Sequence, residues 1–359
     1  CQSGRKMSPT PTPAPKQNQE ETGFSESKPA ERITNRIQPK LRGNTKTNQS
    51  PVAKTQQNTE TLNDSDEEII TVDTNLVTIP VSVLDRNGLY IPSLSQENFK
   101  IFEDGTEQEI AYFGTTEKPV TVVLLLDTSP SAERVLRDIK QAAIAFVNKL
   151  KPQDSVIVIE FAGNVHVLSE VTNDRQQIYQ AINSADIGNG TVIYDAVRFT
   201  IEKRLNKIQG RKAIVLLTDG VDTFSKTTYD KSIDDAEASD TVIFPIYYNT
   251  SKDVLSQVDI FQTKTRREVL NEYILGKQYL KELADSTGGR VFTAEATGVS
   301  LIEAFEGIAE ELRRQYVIGY YPLNAGQTGQ KKQIKVRVNR PNLIVRAKDN
   351  YIVKSIQTK

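Results

Sequence analysis

A doubly wound, mostly parallel α/β sheet, inserted in or flanked by a small β-sandwich, is the fold class this sequence predicts. Three observations predict it. From Val120 onward, short all-aliphatic runs alternate with stretches of helical periodicity, the pattern of a parallel sheet covered on both faces. Before and after that region, apolar and polar residues alternate at period two, as in strands with one wet face. The first sixty-odd residues hold seven of the fifteen prolines and no tyrosine, too little apolar surface to offset chain entropy.

Taken in order, residues 1–66 are expected to be a disordered Pro-rich tether. The opening Cys1-Gln2-Ser3-Gly4, followed by PTPTPAPKQNQ, resembles a mature bacterial lipoprotein, which implies a lipid on Cys1 and a place in the cell envelope facing the periplasm or the exterior. Cys1 is the only cysteine, which excludes an internal disulfide framework and cysteine-based zinc sites. No stretch approaches the twenty or so apolar residues of a membrane-spanning helix, so the expected membrane contact is through the N-terminal lipid only.

Residues 67–117 form an N-terminal β segment. IITVDTNLVTIPVSVLDRNGLYI predicts a hairpin turning at Asp85–Gly88, and ENFKIFEDGTEQEIAYFG a second turning at Asp104-Gly105, for four strands and no helix. Residues 118–314 are the α/β domain. VTVVLLLD is a buried strand. The helix after it carries Val135, Ile139, Ala143, Phe146 and Leu150 on one face. SVIVIEF and VHVLSEV follow, the second as an antiparallel edge, then a helix opening at Asp174, the loop IGNGT and a helix over 193–208. KAIVLLTDG, a helix over 229–240, TVIFPIYY, a helix over 271–286, RVFTA and a helix over 299–314 complete the alternation. The polar segment 249–270 has no assigned element. Residues 315–359 return to β pattern and are expected to pack with 67–117, because neither β stretch can cover its own apolar face.

In open α/β sheets, ligands gather outside the carboxyl ends of the strands. The two greasiest strands end at Asp127 and Asp219, DTSPS adds Ser129 and Ser131, and IGNGT places Thr191 ahead of a helix. Two carboxylates and three hydroxyls make an all-oxygen set, suited to a hard cation: Mg²⁺, or Mn²⁺ or Ca²⁺. Three neutral ligands would leave the ion able to attract a carboxylate from another protein.

The pattern Asp127-x-Ser129-x-Ser131, with Thr191 in a second loop and Asp219 in TDG, resembles the metal-ion-dependent adhesion site of von Willebrand factor A domains. The resemblance covers about residues 120–312. IPVSVLDRNG, ENFKIFEDG and LRRQYVIGYYP resemble a bacterial secreted branch of that family in which the A domain sits between short β segments. It implies metal-dependent binding of an acidic residue of a protein partner, an adhesion or interaction role, and no catalysis. Pro130 departs from the small residue usual at its position and is expected to distort the loop round the ion.

Two alternatives stay open: a Mg²⁺-dependent hydrolase using the same carboxylates, and a structural A domain with a degenerate metal site. The hydrolase lacks parts, since the sequence has no phosphate-cradling Gly-Lys loop and no GxSxG elbow, and its sole histidine, His166, belongs to an expected edge strand. Strand-end aspartates can also be simple helix caps. Tyr320 and Tyr321 are expected to pack in the sandwich. A net charge of −1 without a basic aromatic stripe gives no footprint for nucleic acid.

Overall fold

The computed structural model describes residues 23–32, 76–115, 118–251, 265–295 and 297–353. Five strands precede the α/β unit: β1 (Ser25–Glu26), β2 (Val77–Leu84), β3 (Phe99–Glu103), β4 (Thr106–Gln108) and β5 (Ile110–Thr115). β3 and β4 make the expected hairpin at Asp104-Gly105, where both residues take the positive φ such a turn demands. The Asp85–Gly88 turn also forms, but its second arm shrinks to a single bridge, Leu84 to Tyr90. The full ladders of β2 run to strands from the other end of the chain, whose apolar faces complete the same core.

The α/β unit comprises β6 (Val120–Asp127), α1 (Leu136–Lys149), β7 (Ser155–Phe161), β8 (Val165–Thr172), α2 (Arg175–Ser184), α3 (Ile193–Phe199), β9 (Arg211–Thr218), α4 (Tyr229–Ala238), β10 (Thr241–Tyr248), α5 (Arg266–Thr287), β11 (Phe292–Ala294) and α6 (Gly298–Arg314). Its six strands lie in the order β11-β10-β9-β6-β7-β8, all parallel except the edge strand β8, as expected. α3 runs on through residues 200–207 as π and 3₁₀ turns, and α5 starts five residues before the 271 expected from sequence. That start is set by a capping box: Thr265 accepts from Glu268 N–H, and the Glu268 carboxylate accepts from Thr265 N–H. Of the unassigned 249–270, residues 252–264 lie outside the described residues.

Alternation along β6 shows why the sheet is covered on both sides. Val122, Leu124 and Leu126 face a core closed by α1, α2 and α6, whereas Val123 and Leu125 face one closed by α3, α4 and α5. A strand buried on both faces has no polar position to spare until its end, which is where Asp127 stands.

After α6 come β12 (Tyr316–Tyr320), β13 (Lys331–Val338), β14 (Ile344–Ala347) and β15 (Asn350–Ile352). β12 lies between β2 and β5 in a sheet ordered β14-β2-β12-β5. β13 joins β3 and β4 in a second antiparallel sheet. Ile79, Val81, Phe99, Ile101, Tyr316, Ile318, Ile334 and Val336 fill the space between, so each sheet is built from both ends of the chain. Tyr320 is buried there with its hydroxyl on Glu103 at 2.8 Å; Tyr321 faces solvent, against expectation, because alternation along the chain turns it outward.

One expectation is corrected outright. Residues 23–32 fall inside the stretch read as an unstructured tether, yet β1 pairs with the edge of β13 and Arg32 reaches the α/β unit. Ser27 Oγ accepts from Val336 N–H, and Ser25 Oγ donates to the Arg340 carbonyl. Arg32 pairs with Asp234 at 2.7 Å and Glu237 at 2.8 Å on α4, and with Glu282 at 3.4 Å on α5. The segment is held by backbone and charge rather than by apolar burial, so composition could not reveal it. Cys1 and the rest of the expected tether lie outside the described residues.

Candidate metal centre

β6 and β9 are neighbours, and β7 and β9 leave β6 on opposite sides, so the crevice at their carboxyl ends is the switch point of the sheet. Asp127, Ser129 and Asp219 are buried at this end with Ser131 half-buried beside them, and Thr191, also buried, ends the loop whose Gly188 N–H donates to the Thr128 carbonyl. The Ser129 and Ser131 hydroxyls lie 3.1 Å apart. Asp127 accepts from Ser129 N–H at 2.9 Å on one oxygen and from the Thr218 hydroxyl at 2.6 Å on the other. Asp219 accepts from Val221 N–H at 3.1 Å, from the Thr250 hydroxyl at 2.6 Å and from the Tyr273 hydroxyl at 3.3 Å.

Burial, and then the neighbouring Asp219 carboxylate, push the Asp127 carboxyl up to about 7, and the opposing donors are hydroxyls and an amide. Burial first, and then Asp127 and Asp219, push the Tyr248 hydroxyl well above its ordinary value, and it has no hydrogen-bond partner among the described residues. Two buried carboxylates, neighbouring hydroxyls and an orphaned phenol form a polar crevice short of positive charge. The donor set fits a hard divalent ion: Ser129, Ser131 and Thr191 as direct oxygen ligands, with Asp127 and Asp219 binding the ion or its waters. Among the described residues there is no group of three or more His, Cys, Asp or Glu that could hold a metal ion, so this candidate rests on hydroxyls beside two carboxylates.

Two loops set this geometry through a reciprocal clamp that sequence reading missed. The N-terminus of α3 has no side-chain cap of its own. Asp222 accepts from Ile193 N–H at 2.8 Å, and Ser225 Oγ accepts from the amides of Tyr194 and Asp195. In return Asp195 accepts from the amides of Lys226 and Thr227, both at 2.8 Å; against burial, the Thr227 hydroxyl and then these amides hold its carboxyl below the usual range. Thr191 itself is fixed at both ends: its amide donates to Thr223 Oγ1, and its carbonyl accepts from the amides of Thr223 and Phe224. A second Asp and a Ser shortly after the TDG were the available signal.

Behind Asp219, helix α5 approaches to backbone contact. A Cβ on Gly276 would stand 2.3 Å from the Gly220 carbonyl oxygen, and Gly220 itself takes φ +83°. This closeness lets Tyr273 reach Asp219.

Pro130 does not distort the loop. It opens a 3₁₀ turn, Pro130–Ala132, where its missing N–H is not needed, and Ser129 before it is extended, as a residue preceding proline prefers. His166 lies exposed on edge strand β8, 3.3 Å from Glu160.

Residues 122–221 match the family model of the von Willebrand factor type A domain, and that span carries all five site positions. The chain carries an A domain of this family. A curated relative is an uncharacterized protein of Borreliella burgdorferi, 22% identical over 182 residues, or 48% of this chain; the chain spans about half that protein's length, 53%. Among solved structures, the vWF domain of the type V pili tip protein Mfa5 of Porphyromonas gingivalis is 15% identical, with 54% of this chain and 94% of that chain covered and a TM-score of 0.42. The proximal thread matrix protein 1 of the mussel byssus, solved with a zinc-occupied MIDAS motif, is 16% identical over 56% of this chain and 47% of that chain, TM-score 0.43. An aerotolerance-related membrane protein of Bacteroides fragilis is 19% identical over 54% and 98%, TM-score 0.41. Among the described residues, no helix of the A domain or its flanks is long and apolar enough to cross a membrane.

Proposed function

We propose that the A domain holds a divalent cation, Mg²⁺ first, at Ser129, Ser131 and Thr191 with Asp127 and Asp219, and that the chain uses it to capture an acidic side chain of a protein partner. The observation that carries this reading is the buried Asp127–Asp219 pair, which meets hydroxyls and amides where a compensating cation is needed. An ion ligated mainly by hydroxyls keeps most of its charge, so a carboxylate is the natural group for an open coordination position. The Asp127 oxygens are both engaged in fixing the loop, a poor state for a nucleophile, so binding is favoured over hydrolysis. Binding a carboxylate at an envelope-facing surface fits an adhesion or assembly module.

Calorimetric titration of Mg²⁺ into chelator-treated protein tests it. One site is expected in the wild type and none in Asp127→Ala. Equal binding by both places the ion elsewhere and overturns the reading.

A further inference from the structure

We propose that the surface seating residues 23–32 also takes that segment from a second copy of the chain, so that two copies join by exchanging it. The exchange is independent of the cation.

The occupant's contacts define the seat. β1 pairs antiparallel with Val338 and Arg337 at the end of β13, and Ser27 bridges to Val345 of β14, so the segment closes one side of the sandwich between its two sheets. Ser27 N–H donates to the Val336 carbonyl at 2.8 Å, and Ser25 Oγ accepts from Leu343 N–H at 2.9 Å. Glu26 meets Arg337 at 2.6 Å and Lys335 at 3.3 Å, while the Arg337 guanidinium lies 4.0 Å from the centre of the Phe24 ring. Ala30 N–H donates to Asp349 at 2.7 Å, and Arg32 ends among the carboxylates of Asp234, Glu237 and Glu282. Backbone pairing gives this addition to a sheet edge its affinity, and the side chains give it register and direction. Each charge of the segment is opposed, Glu26 by two cations and Arg32 by three carboxylates, so the seat selects this sequence, which another copy carries.

Connectivity does not confine the segment to its own seat. Residues 33–75 lie between Arg32 and Leu76, where the described chain resumes, and a stretch of that length reaches at most about 150 Å. A folded body of this size is roughly 50 Å across, so a neighbour's seat is well within reach. The buried side chains of β1 and its bridge are serines held by hydrogen bonds, so the segment leaves its seat without uncovering large apolar side chains of its own. Contacts made within one chain and across two are the same, so concentration decides between them, and exchange is a low-cost route to a two-fold dimer. Two copies that each give and receive one segment leave no seat unfilled, which stops the assembly at two.

Disulfide trapping in a Cys1→Ser background tests the exchange. Glu26 and Arg337 face each other across the ladder, next to the pair joined by the Ser27 amide, a spacing that a disulfide can bridge. Chains carrying Glu26→Cys and Arg337→Cys singly are mixed at about 1 mM and oxidised; a covalent dimer about tenfold above that from Glu26→Cys with Leu89→Cys, an exposed position outside the seat, is expected. The double variant in one dilute chain is expected to give a bridged monomer, which shows that both substitutions leave the fold and the seat intact. Sedimentation of the unsubstituted chain up to about 1 mM is the second readout, with a reversible dimer that Arg32→Glu weakens about tenfold by setting a like charge against three carboxylates. A double variant that bridges while the mixture gives no more than its control overturns the exchange. So does a chain that sediments as a monomer throughout, or a dimer indifferent to Arg32→Glu.

Discussion

Replacing Asp127 by Asn should stabilise the metal-free protein at alkaline pH, although Asp127 is the first residue of the proposed site. In the fold its carboxyl titrates at about 7 against an ordinary 3.8, so the folded state binds the proton more tightly than the unfolded state. Stability from that proton is present below the ordinary value and is lost as pH rises through about 7. At about 1.4 kcal/mol per tenfold in proton affinity, the loss by pH 8 is of order 4 kcal/mol. Asn cannot ionise and avoids it. Its NH₂ replaces one of the two accepting oxygens, so either the Ser129 amide or the Thr218 hydroxyl loses its acceptor, which costs on the order of 1 kcal/mol. The net gain expected at pH 8 in chelator is therefore about 2–3 kcal/mol, shrinking to nothing or reversing at pH 4. Mg²⁺ at a hundredfold Kd adds about 2.7 kcal/mol to the wild type alone and closes the gap at pH 8; at a thousandfold Kd, about 4.1 kcal/mol, the ranking inverts. Urea midpoints of both proteins at pH 4, 6 and 8, with chelator and with Mg²⁺, provide the measurement. A pH-independent difference between the two, or a less stable Asp127→Asn in chelator at pH 8, refutes the argument that an uncompensated carboxylate pair strains this crevice.

Three further outcomes follow from named contacts. Gly276→Ala drives a Cβ into the Gly220 carbonyl, so it should cost about 1–3 kcal/mol and weaken Mg²⁺ binding by displacing Tyr273 from Asp219; unchanged values in both assays would contradict the close approach. Glu237→Ala removes the acceptor shared by Arg32, Lys331 and Asn350, and should cost about 1–3 kcal/mol and speed amide exchange in residues 23–32, as hydrogen-exchange mass spectrometry reads directly. Pro130→Gly should lower stability by about 0.4–1 kcal/mol through the unfolded chain and leave Mg²⁺ affinity no better, because the proline suits its turn; tighter binding in calorimetry would restore the idea of a strained loop.

Much of this was legible in the sequence for a definite reason. Strands buried on both faces must be uniformly aliphatic, so β6, β7, β9 and β10 announce themselves, and a carboxylate ending one of them is conspicuous. Spacing within DTSPS, and its pairing with TDG, then gives the donor set. What stayed hidden is held by contacts between distant segments. β1 is two residues long and polar, and joins β13 across more than three hundred residues. The second arm of the Asp85–Gly88 hairpin lost its ladder to β12 and β14, which are nowhere near it in the chain. Tyr248, Thr250 and Tyr273 read as ordinary strand and helix residues until the fold sets them near the two aspartates.

The clamp between the loops at 190–195 and 222–227 fixes the two loops through each other's backbone amides. α3 starts without a cap of its own, and an uncapped N-terminus leaves amides seeking acceptors. Asp222 and Ser225 supply them from the next loop, while Asp195, in the first turn of α3, answers with acceptors for the amides of Lys226 and Thr227. Each loop therefore finishes the other's backbone hydrogen bonds, and neither can shift without orphaning several at once. Thr191 and Phe224 hang from the two sides of this exchange and are joined by the amide-to-carbonyl bond between them. A proposed cation ligand and an exposed aromatic are thus positioned by one set of contacts. The orienting cost of both is met when the domain folds, which leaves little to be spent when a partner arrives.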